Sequence, residues 1–546
     1  MDKRSILAIV LSIIVLYVYQ VFFVKSYPQK IPAAVKQQEA TVGEKVAATT
    51  EKNFTKAPSR GKAEQAKPTS LPERKSNAVS KDVSLETDDY IAIFSTRGAA
   101  LKSFQLKKYL TTIDKNAKHI ELVHTGANMP GPLTISFAGS DFRIPEDAIY
   151  DVRTEAPQAD NPASAGKMVF TVEYPELVKV EKLYTFYRGK YNLPLEIRVT
   201  NLSRNPLSGT STLNWRELLD PQAEADKYGH EGPVALVAGS IERTDASKMS
   251  STQTLGPDVS WGGFESKYFI AALVPQAPSL TTLSLVKEEP STIIVGLKAP
   301  KNIIPPGQTI LTDYSLYLGP KDYNLLKEIN AGLENAIDFG DWLKWLAMPM
   351  LIVLKFLHDS VVHNYGVAII ILTTLIKIIF WPLGNKSYRS MKAMQKLQPH
   401  MTALREKYKD DKARLSQEMM ALYKTHKVNP MGGCLPMVIQ IPVFFGLYKT
   451  LLYAIELRHS PLIWWIQDLS AKDPYYITPI IMGGTMFLQQ KMSPPAGDPM
   501  QAKIMLFMPV IFTVMFLNFP SGLVIYWLFN NIISIGQQYY VNKRTS

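Results

Sequence analysis

The pattern of hydrophobic and polar positions divides the chain into three textures. Residues 5–24, SILAIVLSIIVLYVYQVFFV, form an uninterrupted apolar run preceded by Asp2, Lys3 and Arg4. Twenty helical residues rise about 30 Å, the thickness of a hydrocarbon core. A cleaved signal peptide predicts a shorter apolar region followed by a small-residue site, and QVFFVKSYPQK has no such pair. The reading is an uncleaved membrane anchor over 1–25. Residues 26–82 are rich in Lys, Ala, Thr, Gln and Pro, too polar to offset their ordering entropy, and are read as a flexible linker. Over 83–330 the pattern changes to short, partly alternating runs such as YIAIFSTRG, MVFTVEY and LEIRVTN, separated by turn residues. Roughly a dozen strands without long helical periodicity predict a large all-β sandwich. Its Lys and Arg are dispersed, which favours a scaffold or docking domain over a polyanion-binding one.

Beyond 330 the helical period takes over. Residues 337–360 are apolar but interrupted by Asp341, Lys344, Pro349 and Lys355, with Trp342 and Trp345 a turn apart. That pattern suits an amphipathic helix lying in the headgroup region, placed at 335–361. The core, 362–546, carries apolar runs at 364–383, 432–454, 475–490 and 504–540. The last is too long for one crossing and is broken by NFPSG at 518–522, giving spans 504–519 and 522–540. With the anchor this makes six membrane helices, five of them in the core. Between them, at 384–430, Met391, Met394, Leu397, Met401, Leu404 and Tyr408 recur at intervals of three and four. After KDDK the seam resumes with Leu415, Met419 and Leu422, predicting an antiparallel helical hairpin.

Charge then orients the chain. The net charge is +12, and residues 383–430 hold eleven Lys and Arg against four Asp and Glu, whereas 456–473 hold two against three. The positive-inside rule places the hairpin and both termini in the cytoplasm and the β domain outside. Trp381, Trp464 and Trp465 fall at span ends, as interfacial aromatics do. The basic faces of the hairpin suit anionic lipid or RNA, although a solvated face obeying the topology rule accounts for part of the excess. The single cysteine, Cys434, excludes a disulfide framework, and the eight histidines lack metal-ligand spacing. No metal or cofactor is expected.

The chemistry worth explaining lies in the spans. Lys377 sits inside VAIIILTTLIKIIFWP, where a lipid-facing cation costs about 3 kcal/mol or more. Thr373 and Thr374 lie a turn earlier. Other spans carry Cys434, Gln440, Thr513 and Asn518, and the last has Tyr526, Asn530, Asn531, Ser534 and Gln537. Asn530, Ser534 and Gln537 share a helical face. These groups predict a polar cavity between helices; snorkelling of Lys377 to cytoplasmic headgroups is the plainer alternative. No Asp or Glu interrupts the five core spans, so the carboxylate relay of a proton-driven pump is missing.

Four stretches carry a resemblance: LQPHMTALREKYKDD, KVNPMGGCLPMVIQIPVFFGLY, DLSAKDPYYITPIIMGGTMFLQQKMSP and DPMQAKIMLFMPVIFTVMFLNFPSGLVIYW. They closely resemble the YidC/Oxa/Alb family of membrane-protein insertases, and the anchor, linker and β domain fit its Gram-negative form. The resemblance implies a monomeric, non-enzymatic insertase and chaperone of the inner membrane. Its partners would be nascent membrane proteins, the Sec translocon, the ribosome and the lipid bilayer. It implies a hydrophilic groove open to cytoplasm and lipid, with Lys377 at the position that is usually arginine. The groove set is then Lys377, Thr373, Thr374, Gln440, Thr513, Asn518, Tyr526, Asn530 and Ser534, with Trp527 nearby. Client segments would slide along Cys434, Ile441, Pro442, Met515, Phe516 and Phe519. The β domain resembles the family's periplasmic supersandwich, akin to sugar-mutarotase folds.

Two features depart from the pattern. Lysine keeps the charge but loses the bidentate fork of arginine. The chain ends at VNKRTS without a long basic tail, so ribosome contact would rest on the hairpin and on 491–503. A secondary transporter with a periplasmic accessory domain is the alternative function. It predicts repeated halves and coupling carboxylates, neither of which the spans contain. A carbohydrate-active β domain would need His119, His124 or His230 to converge with acids.

Overall fold

The computed structural model describes residues 79–544, apart from 127–128, 158–162, 220–228, 250–251, 289–290, 341, 427, 429–434 and 494–498. Side chains at 412, 435–439 and 499–504 are also outside the description. The expected anchor, the linker up to 78 and Cys434 therefore lie outside the described residues.

Between Asp82 and Pro320 the described chain forms twenty strands rather than a dozen, because short three-residue pairings join the long ones. They make antiparallel sheets of nine, five, four and two strands. The nine-stranded sheet runs, in spatial order, through Ser240–Arg243, Gly232–Val237, Val259–Glu265, Phe269–Pro275, Thr309–Pro320, Asn192–Asn201, Val178–Tyr187, Ser164–Tyr174 and Asp151–Glu155. Alternation sets its faces: Leu193, Leu195, Ile197 and Val199 point inward along Asn192–Asn201. Register keeps them together, with Leu193 opposite Leu316 and Leu195 opposite Tyr314.

One inward position is a lysine. Lys182, opposite Ile197, is fully buried. Its ammonium donates to the carbonyls of Gly98 (3.1 Å), Ala99 (2.8 Å) and Leu133, between the rings of Tyr150 and Tyr184. Ala99 and Leu133 both have positive φ, so the lysine holds two strained turns against the sheet. Burial pushes its pKa down to about 7. Because the unfolded chain stays protonated up to about 10.4, it binds more protons above pH 7, and stability rises with pH through that window. Lys182→Met should abolish that rise, measured as the thermal midpoint of the detergent-solubilised protein from pH 6 to 10.

Nine helices follow among the described residues: α1 Tyr323–Glu328, α2 Lys344–Ser360, α3 Tyr365–Ile379, α4 Trp381–Lys407, α5 Lys412–Thr425, α6 Leu435–Tyr453, α7 Ile477–Met492, α8 Pro499–Phe516 and α9 Ser521–Arg544. Several ends are capped by side chains. Asp322 accepts from the amides of Asn324 and Leu325, Asn364 from Val367, and Asp411 from Arg414.

The helix expected at 504–519 is Pro499–Phe516, and the one expected at 522–540 is Ser521–Arg544. Two other boundaries also differ from the expected ones. The helix placed at 335–361 starts at Lys344, after a short 3₁₀ turn at Leu333–Ala336. The expected span 364–383 stops at Ile379, and the chain bends by 65° into α4, which is also the first arm of the hairpin. Pro382 explains the second difference: it lacks an N–H to donate, which the first turn of α4 tolerates and the interior of a continuous helix does not. By length and composition no single described helix crosses a membrane, but the bent pair of α3 and α4 passes the test together. In the hairpin, Leu397 and Met401 are buried on the expected seam.

Helix α2 buries Ala347, Met350, Leu351, Leu354 and Leu357, while Trp345, Ile352 and Phe356 stand exposed on its other side. Around it, ion pairs tie the sandwich to the helices. Lys355 bonds Asp322 and Glu456, both at 2.7 Å, and Lys449 bonds Asp338 at 3.1 Å. Glu265, fully buried, takes Arg243 at 2.7 Å and Lys321 at 2.5 Å. Burial raises the Asp338 carboxyl, but Lys449 and Arg243 more than offset this and hold it at about 2. Arg458 donates to the carbonyls of Leu110 (2.6 Å) and Thr111 (3.2 Å).

Candidate functional site

The site is assembled where α3, α6 and α9 meet. Lys377, near the end of α3, donates to the Ser534 hydroxyl at 2.7 Å, and Ser534 donates to the Asn530 carbonyl at 2.6 Å. The Asn530 side-chain oxygen accepts from Gln440 Nε2 at 2.8 Å. Four residues from three helices thus form one hydrogen-bonded chain. Lys377, Gln440 and Asn530 are half-buried and Ser534 is buried. Asn530 and Ser534 are four residues apart, so α9 presents both on one face. Lys377 makes no salt bridge among the described residues. An ammonium has three donors, and the hydroxyl uses one.

The other expected groove residues have different places. Thr373, Thr374 and Thr513 donate within their own helices, to Ile369, Ile370 and Pro509 carbonyls at 2.7, 2.8 and 2.7 Å. Thr513 also packs against Gly483, where an added Cβ would lie 2.0 Å from its hydroxyl, so only glycine permits this approach of α7 to α8. Tyr526 is buried and stacks on Phe444, with ring centroids 6.2 Å apart. Asn518 does not join the cluster. It is exposed in the turn before α9, about 20 Å along the axis from Ser534.

The expected slide separates in the same way. Ile441 and Met515 are exposed, and Pro442 is half-buried. Phe516 and Phe519 are buried, because they complete an aromatic cluster with Phe444, Tyr448, Phe512 and Trp527. Phe516 lies 5.0 Å from Phe519 and 5.2 Å from Trp527, and Phe444 lies 4.7 Å from Trp527. These rings pack α6, α8 and α9 against one another.

The N-terminal end of α9 is held by backbone bonds. The amides of Ser521 and Gly522 donate to Ala471 and Leu469 carbonyls at 2.7 and 2.9 Å. Asp473 accepts from the amide and hydroxyl of Thr478 at 2.8 and 2.7 Å and from Trp465 Nε1 at 3.1 Å. The N-terminus of α9 and the approach to α7 are thereby pinned to the 456–473 loop. Sequence periodicity carried no sign of these bonds, since the partners are mostly main-chain atoms.

In the β domain a cleft of about 170 Å³ is lined by Ile120, His124, Glu217, Glu231, Phe264 and Phe269, among others. His124 pairs with Glu217 at 2.6 Å, which raises the imidazole pKa. His230 instead contacts the Pro233 carbonyl, and His119 lies on the short strand His119–Glu121. No group of three or more His, Cys, Asp or Glu able to hold a metal occurs among the described residues.

Comparison with known proteins assigns the family. Residues 82–353 match the family model of the YidC periplasmic domain, and residues 356–546 that of the 60Kd inner membrane protein. The Membrane protein insertase YidC of Syntrophus aciditrophicus (strain SB) is 59% identical over 544 residues, covering 100% of both chains. The chain belongs to the YidC family of membrane protein insertases. The YidC of Geobacter metallireducens (strain ATCC 53774 / DSM 7210 / GS-15) is 40% identical over 543 residues, 100% of this chain and 98% of that one. A solved structure described as an active YidC insertase with its first transmembrane domain resolved aligns at a TM-score of 0.38 and 20% identity. It covers 84% of this chain and 92% of that one. YidC proteins are inner-membrane proteins with a periplasmic domain, and they are named as insertases, not as enzymes.

Proposed function

We propose that the chain inserts and folds inner-membrane proteins through a hydrophilic groove, open to the cytoplasm, in which Lys377 meets the client. The observation that carries this reading is the chain Lys377–Ser534–Asn530–Gln440, set among helices whose outward faces are apolar. A half-depth polar cavity shortens the hydrocarbon that a short hydrophilic stretch must cross. The unused donors of Lys377 attract acidic groups in that stretch. The exposed Ile441 and Met515 offer the client's apolar helix a path into lipid. No bond is made or broken, so positioning and charge suffice.

In this reading the anchor and the five core spans cross the inner membrane, both termini and the hairpin are cytoplasmic, and the sandwich is periplasmic. Exposed Trp345, Ile352 and Phe356 of α2 rest in the outer headgroups. The chain works as a monomer, alone or beside the Sec translocon, and the ribosome docks on the basic hairpin. Reconstitution in liposomes tests the whole. Purified protein should integrate a small single- or double-spanning client without ATP or an ion gradient. Solute uptake without client integration would favour the transporter instead.

The hairpin carries its own prediction. Replacing 391–426 by a basic but unstructured sequence preserves the topology rule and removes the seam around Leu397 and Met401. Client insertion and ribosome co-sedimentation should both fall, by about fivefold or more on the scale where 1.4 kcal/mol is tenfold. Unchanged values in both assays would reduce the hairpin to a charged linker.

A further inference from the structure

We infer that Gln537 is a positioning residue, which fixes the bend between α3 and α4 against α9 and so holds Lys377 opposite Ser534. The inference rests on the groove reading for its purpose, but not for its geometry. Gln537 is buried, one turn beyond Ser534 on α9. Its amide nitrogen donates to the Trp381 carbonyl at 3.0 Å and to Asn385 Oδ1 at 2.9 Å. Trp381 opens α4 just past the 65° bend, four residues after Lys377.

The contact is fitted. At Gly384 an added Cβ would lie 2.7 Å from Gln537 Nε2 and 2.9 Å from its Oε1. A side chain there would have to displace the amide from both acceptors. Further along the same two helices, Lys392 donates to the Asn542 carbonyl at 2.7 Å. Tyr388 Oη also donates to the Ser534 carbonyl at 3.5 Å, and two rungs lie nearest the bend between α3 and α4. Lys377 to Ser534 is one rung and Gln537 to Trp381 and Asn385 is the other.

A bend is where two helices can change their relative angle most cheaply, and a lysine side chain is long and flexible. Of the hydrogen bonds named between α9 and the two bent helices, that of Gln537 lies nearest the bend, at Trp381, whereas those of Tyr388 and Lys392 lie further along α4 and that of Lys377 ends in one hydroxyl. Gln537 therefore decides where the charge is presented, although it does not itself carry charge.

The test reads the geometry directly. In a Cys434→Ala background, Lys377→Cys with Ser534→Cys removes the first rung and leaves the register to Gln537 and to the bonds of Tyr388 and Lys392 further along α4. Dibromobimane fluoresces only when it joins two nearby thiols. Adding Gln537→Met, which keeps the volume but has no N–H, should lower the bimane yield about fivefold at equal membrane levels. Asn385→Ala should give an intermediate loss. An unchanged yield with Gln537→Met overturns the inference, whatever the clients do. In the chain with Lys377 and Ser534 intact, Gln537→Met should also erase the difference in insertion between clients with acidic and neutral tails. If the bimane yield falls while wild-type protein inserts both clients alike, the positioning stands and the groove reading fails.

Discussion

Lys377→Ala should lower insertion of a client with an acidic translocated tail about tenfold and leave its neutral counterpart within about twofold, where tenfold is 1.4 kcal/mol. The reasoning is electrostatic. Two unit charges 4 Å apart interact by about 4 kcal/mol at an effective dielectric of 20 and by about 1 kcal/mol in water. A half-buried ammonium bonded to a hydroxyl lies between those limits, so one to two kcal/mol of client attraction is the reasonable range. Lys377→Arg should preserve insertion, because the charge survives and a neutral acceptor such as Ser534 needs no bidentate fork. Lys377→Glu should be worse than alanine, since attraction becomes repulsion. The measurement uses paired clients that differ only in Asp and Glu content, at matched membrane levels of each variant. If wild type and Lys377→Ala insert both clients equally, Lys377 is a membrane-edge anchor.

What the sequence made legible follows physical range. Periodicity and apolar run length are local, and strands and helices occur in the stretches where those patterns change. Lys377, Gln440, Asn530 and Ser534 could be singled out because a polar side chain in an apolar span costs free energy unless it is used. Residue type alone could not say which polar groups would meet. Asn518 is exposed in a turn, and Thr373, Thr374 and Thr513 satisfy themselves on their own helices. The two phenylalanines expected on the slide are buried, which residue type alone did not show. Aromatic residues in a span can face lipid or each other, and only the approach of α6, α8 and α9 decides. Lys355 shows the limit most plainly. Its intrusion into an apolar run was visible, but its partners lie 33 and 101 residues away.

That lysine carries the largest expected effect on stability. Lys355→Met should destabilise the detergent-solubilised protein by about 3–5 kcal/mol, the usual cost of removing one partner from a buried ion pair. Lys355, Asp322 and Glu456 expose only 15%, 19% and 9% of their side chains, so the two carboxylates would be left desolvated and facing one cation fewer. Exposed pairs are worth far less, and Lys102 with Asp82, half-open to water, serves as the control: Lys102→Met should shift the thermal midpoint little. Neutralising the whole triad, with Lys355→Met, Asp322→Asn and Glu456→Gln together, should recover most of the loss, because no unpaired charge remains. The position of the triad gives it a function beyond stability. It joins the start of α1, the exposed-faced helix α2 and the chain just past α6, so it sets how the sandwich meets the helices that hold Gln440 and Ile441. Deleting 85–310 keeps all three residues and should leave insertion largely intact, whereas Lys355→Met in the full chain should lower it. If the deletion abolishes insertion at normal membrane levels while Lys355→Met is silent in both assays, the sandwich itself, and not this junction, is what the helical core requires.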